Sequence, residues 1–263
     1  MLTFPNIDPV ALSLGPLKVH WYGLMYIIGI AGAWVLARSR TKEPGFPWTT
    51  GQIEDLIFYC ALGLMIGGRL GYILFYNFSA FVNDPTLILR VWEGGMSFHG
   101  GMIGAFSGMW VFARQVNAKF SDVTDFIGPY VPLGLFTGRI GNFINGELWG
   151  KPTDVWWAMA FPNAGPELRH PTQLYEAILE GVVLFMVLHW YRRTNPPRTA
   201  ISGMFLLLYG LFRFAVEFLR LPDAHIGYLA FDWLTMGMSL SIPMILAGLW
   251  ILINAYTKVK SRA

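Results

Sequence analysis

Apolar residues run through this chain in long blocks, separated by short connections rich in polar residues, glycine or proline. A helix needs about 20 largely apolar residues to cross the hydrocarbon core of a bilayer. Blocks of that length fall at 19–38, 54–76, 96–114, 122–142, 172–191, 201–219 and 232–256, with glycine and proline interrupting the third and fourth. The pattern predicts an all-α, polytopic membrane protein of about seven transmembrane helices. The longest outward connection, 143–171, is rich in Pro, Gly and Trp and predicts a small extracytoplasmic cap between helices four and five. No internal repeat is visible and the connections are too short for a second globular domain, so residues 1–263 are expected to form one membrane domain.

Composition sharpens this picture. The chain is 54% hydrophobic and 13% charged, about half the charge of an ordinary soluble domain. Eleven Trp and eleven Tyr supply interfacial anchors. The net charge of +3 comes from basic loops, with no dense Lys/Arg run of the kind that binds nucleic acid. The single cysteine, Cys60, lies in an apolar block, where it reads as a small hydrophobe; it has no disulfide partner, and no His/Cys cluster has metal-ligand spacing. The first apolar block lacks the basic flank and cleavage site of a signal peptide and reads as a retained span.

Basic residues orient the spans. One set of loops and the C-terminal tail carry Arg38, Arg40, Lys42, Arg114, Lys119, Arg192, Arg193, Arg198, Lys258, Lys260 and Arg262. The opposite loops carry only Lys18, Arg90, Lys151, Arg169 and Arg220. Positive residues mark the cytoplasmic side, so the N-terminus is expected outside and the C-terminus inside.

This leaves Arg69, Arg139 and Arg213 within or at the edge of apolar blocks, where an ionisable side chain reads as functional by default. Arg139 and Asn142 stand three apart and share a helical face, either as a buried polar network or as a clamp for phosphate, which a planar guanidinium binds in pairs of hydrogen bonds. Glu147, just beyond, has two readings: a partner for Arg139 or a group that orients a substrate hydroxyl. Arg213 and Glu217, at i,i+4, are either a self-neutralised pair or a substrate contact. Glu176 and Glu180 also share a face and repel unless a cation or proton intervenes, with Arg69 a plausible partner. His99 is followed by Gly100 and Gly101, which allow either close helix packing or ligand access. His20 and Trp21 sit where an outer aromatic belt is expected.

The segment Gly138–Gly150, GRIGNFINGELWG, resembles the signature of the prolipoprotein diacylglyceryl transferase family, with Arg139, Asn142, Asn145, Glu147 and Gly150 at the family's spacing. The His99-Gly100-Gly101 run is similar to a second hallmark, Tyr22 in HWYG matches an important family tyrosine, and Arg169–Glu176 (RHPTQLYE) also looks like family sequence. The likeness spans essentially the whole chain, with a shorter outward loop after Gly150 than in some relatives.

The resemblance implies a bacterial inner-membrane enzyme that moves diacylglyceryl from phosphatidylglycerol to the lipobox cysteine of a preprolipoprotein, releasing glycerol phosphate. Its partners are then that lipid, the signal peptide bearing the lipobox and the bilayer, with no cofactor, metal or nucleotide. The thiolate is the nucleophile, so a base is needed, and the resemblance points to His99. Arg139, with Arg213 as a second candidate, is expected to bind the lipid phosphate and the charge that gathers on the leaving group. Tyr22 and Glu147 complete the expected catalytic set. Asn142, Asn145, Gly150, Glu217, Gly100 and Gly101 are expected to line the substrate, which enters laterally from the membrane. Without the resemblance, two other readings stand: a transporter of an anionic solute, although paired halves are absent, or a membrane scaffold held by internal charges.

Overall fold

Proline and glycine set where the apolar blocks stop being helices. The computed structural model describes residues 2–15, 17–91, 94–222 and 227–260; Arg262, counted above in the basic tail, lies outside the described residues. The chain divides into two compact units, Trp34–Thr124 and the remainder, Met1–Ala33 with Asp125–Ala263. The protein is mostly helical, but it is not all-α: among the described residues five short strands form two small sheets.

In the larger unit, strand β1 (Leu2–Thr3) precedes an antiparallel hairpin, β2 (Val10–Leu14) and β3 (Leu17–His20), which leads into helix α1 (Trp21–Ser39). The smaller unit holds α2 (Thr50–Tyr76), with Thr49 and Gln52 forming a capping box, α3 (Phe78–Asn83) and α4 (Phe98–Gln115). A row of glycines in α2, Gly63, Gly67 and Gly71, meets Gly100 and Gly104 of α4. A Cβ at Gly104 would stand 1.9 Å from the Gly63 carbonyl oxygen, so the two backbones touch where side chains would part them.

The block expected to form one fourth span is two helices, α5 (Phe120–Ile127) and α6 (Val131–Ile144), parted by a turn at 128–130. Pro129 disfavours helical backbone at Gly128, and Pro132 has no N–H to donate, which suits only the first turn of a new helix. At 1.5 Å per residue α6 is about 21 Å long, short of a full crossing on its own. Beyond α6, strands β4 (Met159–Ala160) and β5 (Leu168–Arg169) pair with each other, and β1 adds to β4 in parallel. The 143–171 segment is thus tied to the start of the chain, a pairing too short to announce itself in the sequence.

The fifth block begins as α7 (Thr172–Glu176), passes through a π-helical stretch, Ala177–Val183, and ends as α8 (Leu184–Arg192). Helices α9 (Ala200–Glu217) and α10 (Met236–Lys260) complete the larger unit and pack through Gly203, Gly210 and Gly248. Asp125 of α5 caps α9, accepting from the Thr199 and Ser202 amides at 2.6 and 2.8 Å. Among the described residues, five helical segments are long and apolar enough to cross a membrane: Trp21–Lys42, Thr50–Tyr76, Thr172–Arg192, Ala200–Glu217 and Met236–Val259. Their outer faces expose Ile27, Phe58, Phe75, Trp190 and Leu246, an exterior suited to lipid.

Candidate functional site

Helix α6 is gripped on two sides, and that grip aims its polar face. On one side Gly29 of α1 meets Thr137, where a Cβ would lie 2.5 Å from the hydroxyl, and the Tyr22 ring covers Gly141. On the other, Gly181 of the π-helical stretch lies against Phe136, with 2.6 Å left for a Cβ. A π-turn inside an α-helix recurs at functional sites. Here it carries Glu176 and Glu180 toward Arg139, and both carboxylates are 0% exposed.

The result is a buried cluster of three guanidinium and three carboxylate groups. Glu176 faces Arg139 Nε at 3.0 Å, Arg213 Nη1, and Arg220 Nη1 at 3.7 Å. Glu217 takes Arg213 Nη2, lies 3.9 Å from Arg220, and accepts from the Thr235 hydroxyl. Gly237 makes room for it, since a Cβ there would run into the Glu217 carboxylate. Glu180 is held more loosely: its nearest cation is Arg139 Nη2 at 3.6 Å, and neither of its oxygens accepts a hydrogen bond among the described residues. Tyr209 lies within electrostatic range of Arg139, Arg213, Glu176 and Glu180. The formal charges balance at three against three, which is what allows them to sit among apolar helices.

The arginines differ in what they have left to give. Both Nη groups of Arg213 are engaged by Glu176 and Glu217. Arg139 pairs through Nε with Glu176 at 3.0 Å, while its Nη1 donates to Asn142 Oδ1 at a long 3.5 Å and its Nη2 stands 3.6 Å from Glu180. The two Nη distances are longer than an ordinary N–H···O bond, so this edge of Arg139 is held more loosely than the Nη groups of Arg213.

Glu147 does not pair with Arg139. Its Oε1 accepts from the Asn142 and Asn145 amides at 2.9 and 3.1 Å, joining all three signature residues in one hydrogen-bonded turn at the end of α6. That turn is locked from outside. Leu148 holds a positive φ of 61°, unusual for a branched side chain, and Thr172 donates to its carbonyl at 2.9 Å. Gln173 donates to the Glu147 carbonyl. Gly150 runs between neighbouring segments, donating to the His170 carbonyl at 2.8 Å, and a Cβ there would stand 2.6 Å from the Leu219 oxygen. Burial holds the His170 imidazole below its ordinary value, and its Nδ1 lies 3.1 Å from the Tyr175 hydroxyl. Tyr22, on the first turn of α1, contacts the Tyr26 hydroxyl at 3.2 Å and is within electrostatic range of Glu147 and Arg139.

Tyr22, Arg139, Asn142, Asn145, Glu147, Gly150, Arg213 and Glu217 thus belong to one unit, and His99, Gly100 and Gly101 to the other. His99 stands on the first turn of α4, exposed, with its ring edge-on to Phe98 at 5.6 Å. Gly100 packs on Gly67 and Gly71, and Gly101 on Leu64. Two readings need correction. Arg220, counted as an outward loop charge, is buried against Glu176 and Glu217. Arg69 is not the partner of Glu176 and Glu180; its guanidinium is spent on main-chain carbonyls. The i,i+4 spacing of the two acids was the one signal in the sequence for the missing half of the cluster.

A charge-balanced cluster of three arginines and three glutamates, set among helices long and apolar enough to cross a membrane, defines a polytopic membrane protein. The chain belongs to the prolipoprotein diacylglyceryl transferase family, whose model matches residues 9–254. It is similar to proteins named phosphatidylglycerol–prolipoprotein diacylglyceryl transferase from three bacteria. That from Methylococcus capsulatus is 62% identical over 98% of this chain and 99% of its own length. The Coxiella burnetii protein is 60% identical over 97% and 98%, and the Pseudomonas aeruginosa protein 56% over 98% and 97%. Family and apolar helices together make this a bacterial membrane protein.

Proposed function

We propose that this chain transfers the diacylglyceryl group of phosphatidylglycerol to the cysteine thiol of prolipoproteins, the first step of lipoprotein maturation. Family membership over nearly the whole chain supports the reaction. The observation in the molecule itself that carries it is the loosely held Nη edge of Arg139 beside a largely buried, charge-balanced scaffold. In the reaction the thiolate sulfur forms a bond to the glycerol carbon, the carbon–oxygen bond to phosphate breaks, and glycerol phosphate leaves with the bond's electrons. The loosely held Nη edge of Arg139 binds the phosphate and stabilises the charge it gains, as pre-placed donors do best in a dry site. Arg213 keeps a second positive charge nearby while Glu217 holds it in place. The unfilled oxygens of Glu180 suit the hydroxyls of a glycerol headgroup.

Asn142, Asn145 and Glu147 form the polar wall of this site, Gly150 keeps the strand behind it close, and Tyr22 covers its α1 side. His99 takes the thiol proton as general base, a task suited to an imidazole with no polar partner of its own among the described residues. Gly100 and Gly101 serve it by keeping the His99 turn on α2. The acceptor is the lipobox cysteine of a signal peptide, and both substrates reach the site sideways from the bilayer.

Residues 1–263 are read as a single inner-membrane enzyme domain. Phe98–Gln115 and the broken pair α5–α6 supply two further crossings beside the five apolar ones, making seven. The basic bias then puts the N-terminus and the 143–171 cap outside and the C-terminus in the cytoplasm. Mass spectrometry of a lipobox peptide incubated with purified protein and phosphatidylglycerol tests the reading. A diacylglyceryl mass gain on cysteine is expected, and its absence with folded protein in native lipid would overturn the proposal in favour of anion transport.

A further inference from the structure

Arg69 is a buried arginine that the reaction as described does not use. A guanidinium has five N–H donors. Here Nε donates to the Ile88 carbonyl at 3.4 Å, Nη1 to those of Gly94 and of Gly95 at 3.2 Å, and Nη2 to those of Leu87 and of Arg90 at 2.8 Å. Five donors thus meet five carbonyls, all from the loop that runs from α3 to α4, and the Tyr72 ring lies 5.9 Å from the guanidinium carbon.

The same stretch of α2 holds the end of that loop at three further points. The Gly68 carbonyl accepts from the Ser97 amide at 2.8 Å. Gly71 leaves just enough space for Ser97, whose Cβ lies 3.1 Å from where a glycine Cβ would stand. Gly95, at φ +77°, lies flat on the Tyr72 ring, with 2.4 Å left for a Cβ. Ser97 then caps α4 through the Gly100 amide, and His99 is the second residue of that helix. His99 has no polar contact of its own to fix it among the described residues, so its position is inherited from the backbone of this turn.

We propose that Arg69 is a positioning residue for transfer, clamping Leu87, Ile88 and Arg90 on one side and Gly94 and Gly95 on the other so that the capped turn presents His99. The inference rests on the reading of His99 as the base. A lysine in its place keeps the charge but has only three donors on one nitrogen and cannot span five carbonyls. Misplacing a reacting group by about 1 Å costs on the order of a hundredfold in rate.

The test is a double-mutant cycle of Arg69→Lys and His99→Gln, scored by transfer to a lipobox peptide with kcat and KM for phosphatidylglycerol measured separately. Arg69→Lys is expected to lower kcat about a hundredfold with KM nearly unchanged, and to add almost nothing on the His99→Gln background, as for two residues acting through one group. Gly95→Ala, which pushes the turn off Tyr72 while leaving the Arg69 side chain itself in place, is expected to give the same split and carries the test if Arg69→Lys does not fold. A full, additive loss on the His99→Gln background, or wild-type kcat in both turn variants, would overturn the inference while leaving the base intact. Wild-type turnover by His99→Gln would instead remove the base itself, and the inference with it.

Discussion

The two units bury arginine in opposite ways. In the smaller one, Arg69 gives all five donors to main-chain carbonyls, and its side chain becomes a fixed strut. In the larger one, Arg139, Arg213 and Arg220 are set against Glu176, Glu180 and Glu217, and the satisfaction is uneven. Arg213 is held at both Nη groups, whereas both Nη contacts of Arg139 are long. Burial alone therefore says little about function. What separates a strut from a binding group is how tightly its donors are held, and under the function proposed above the loose Nη edge of Arg139 is the one that takes the phosphate.

The comparison can be broken most sharply at Arg139. Arg139→Lys keeps a positive charge between Glu176 and Glu180 but removes the fork. Transfer rate, read as diacylglyceryl product per minute, is expected to fall by about a hundredfold or more. The Glu176→Ala variant tests the scaffold instead. It leaves Arg139, Arg213 and Arg220 without their shared partner, and removing one member of a buried ion pair costs about 3–5 kcal/mol. Thermal unfolding in detergent is expected to show a protein that barely folds, whereas a wild-type melting temperature would mean the cluster is not the scaffold described here.

Smaller effects belong to the other unit. Gly104→Ala forces apart α2 and α4, and overpacking of this kind costs about 1–3 kcal/mol, measurable in the same melts. Asp84 gives the smallest effect. Hydrogen bonds from the Thr86 side chain and amide, together with Arg90, hold its carboxyl below the usual range although it is exposed. A folded-state value below the unfolded one means its contribution is present above about pH 4 and fades as the pH falls through the depressed value. Asp84→Asn is therefore expected to lower the melting temperature slightly at neutral pH and not at all in strong acid.

Much of this was legible in the sequence because a membrane makes charge conspicuous. Arg139, Arg213, Glu217, Glu176 and Glu180 stand out against apolar blocks, and their i,i+3 and i,i+4 spacings name the shared faces. The partners across helices were not legible. Arg220 looks like a loop charge until α9 and the start of the fifth block bring it to Glu176. Arg69 looks like a free cation until the carbonyls of Leu87, Ile88, Arg90, Gly94 and Gly95 close on it. The break at 128–130 was signalled by Gly128, Pro129 and Pro132, but an apolar count alone runs straight through it. Strands of two residues such as β1 and β4 carry no periodicity to read, since one alternation is no pattern. The π-helical stretch likewise has no local sequence mark; it coincides with the close contact of Gly181 with Phe136.

The most direct test of the account is the affinity of folded Arg139→Lys for phosphatidylglycerol in nanodiscs, titrated beside wild type with melting temperature measured on the same samples. The loose Nη edge predicts binding weakened by about tenfold or more with the melting temperature little changed, because lysine keeps the charge and loses the paired bonds. Wild-type affinity in that variant would contradict it and return Arg139 to the scaffold with Arg213.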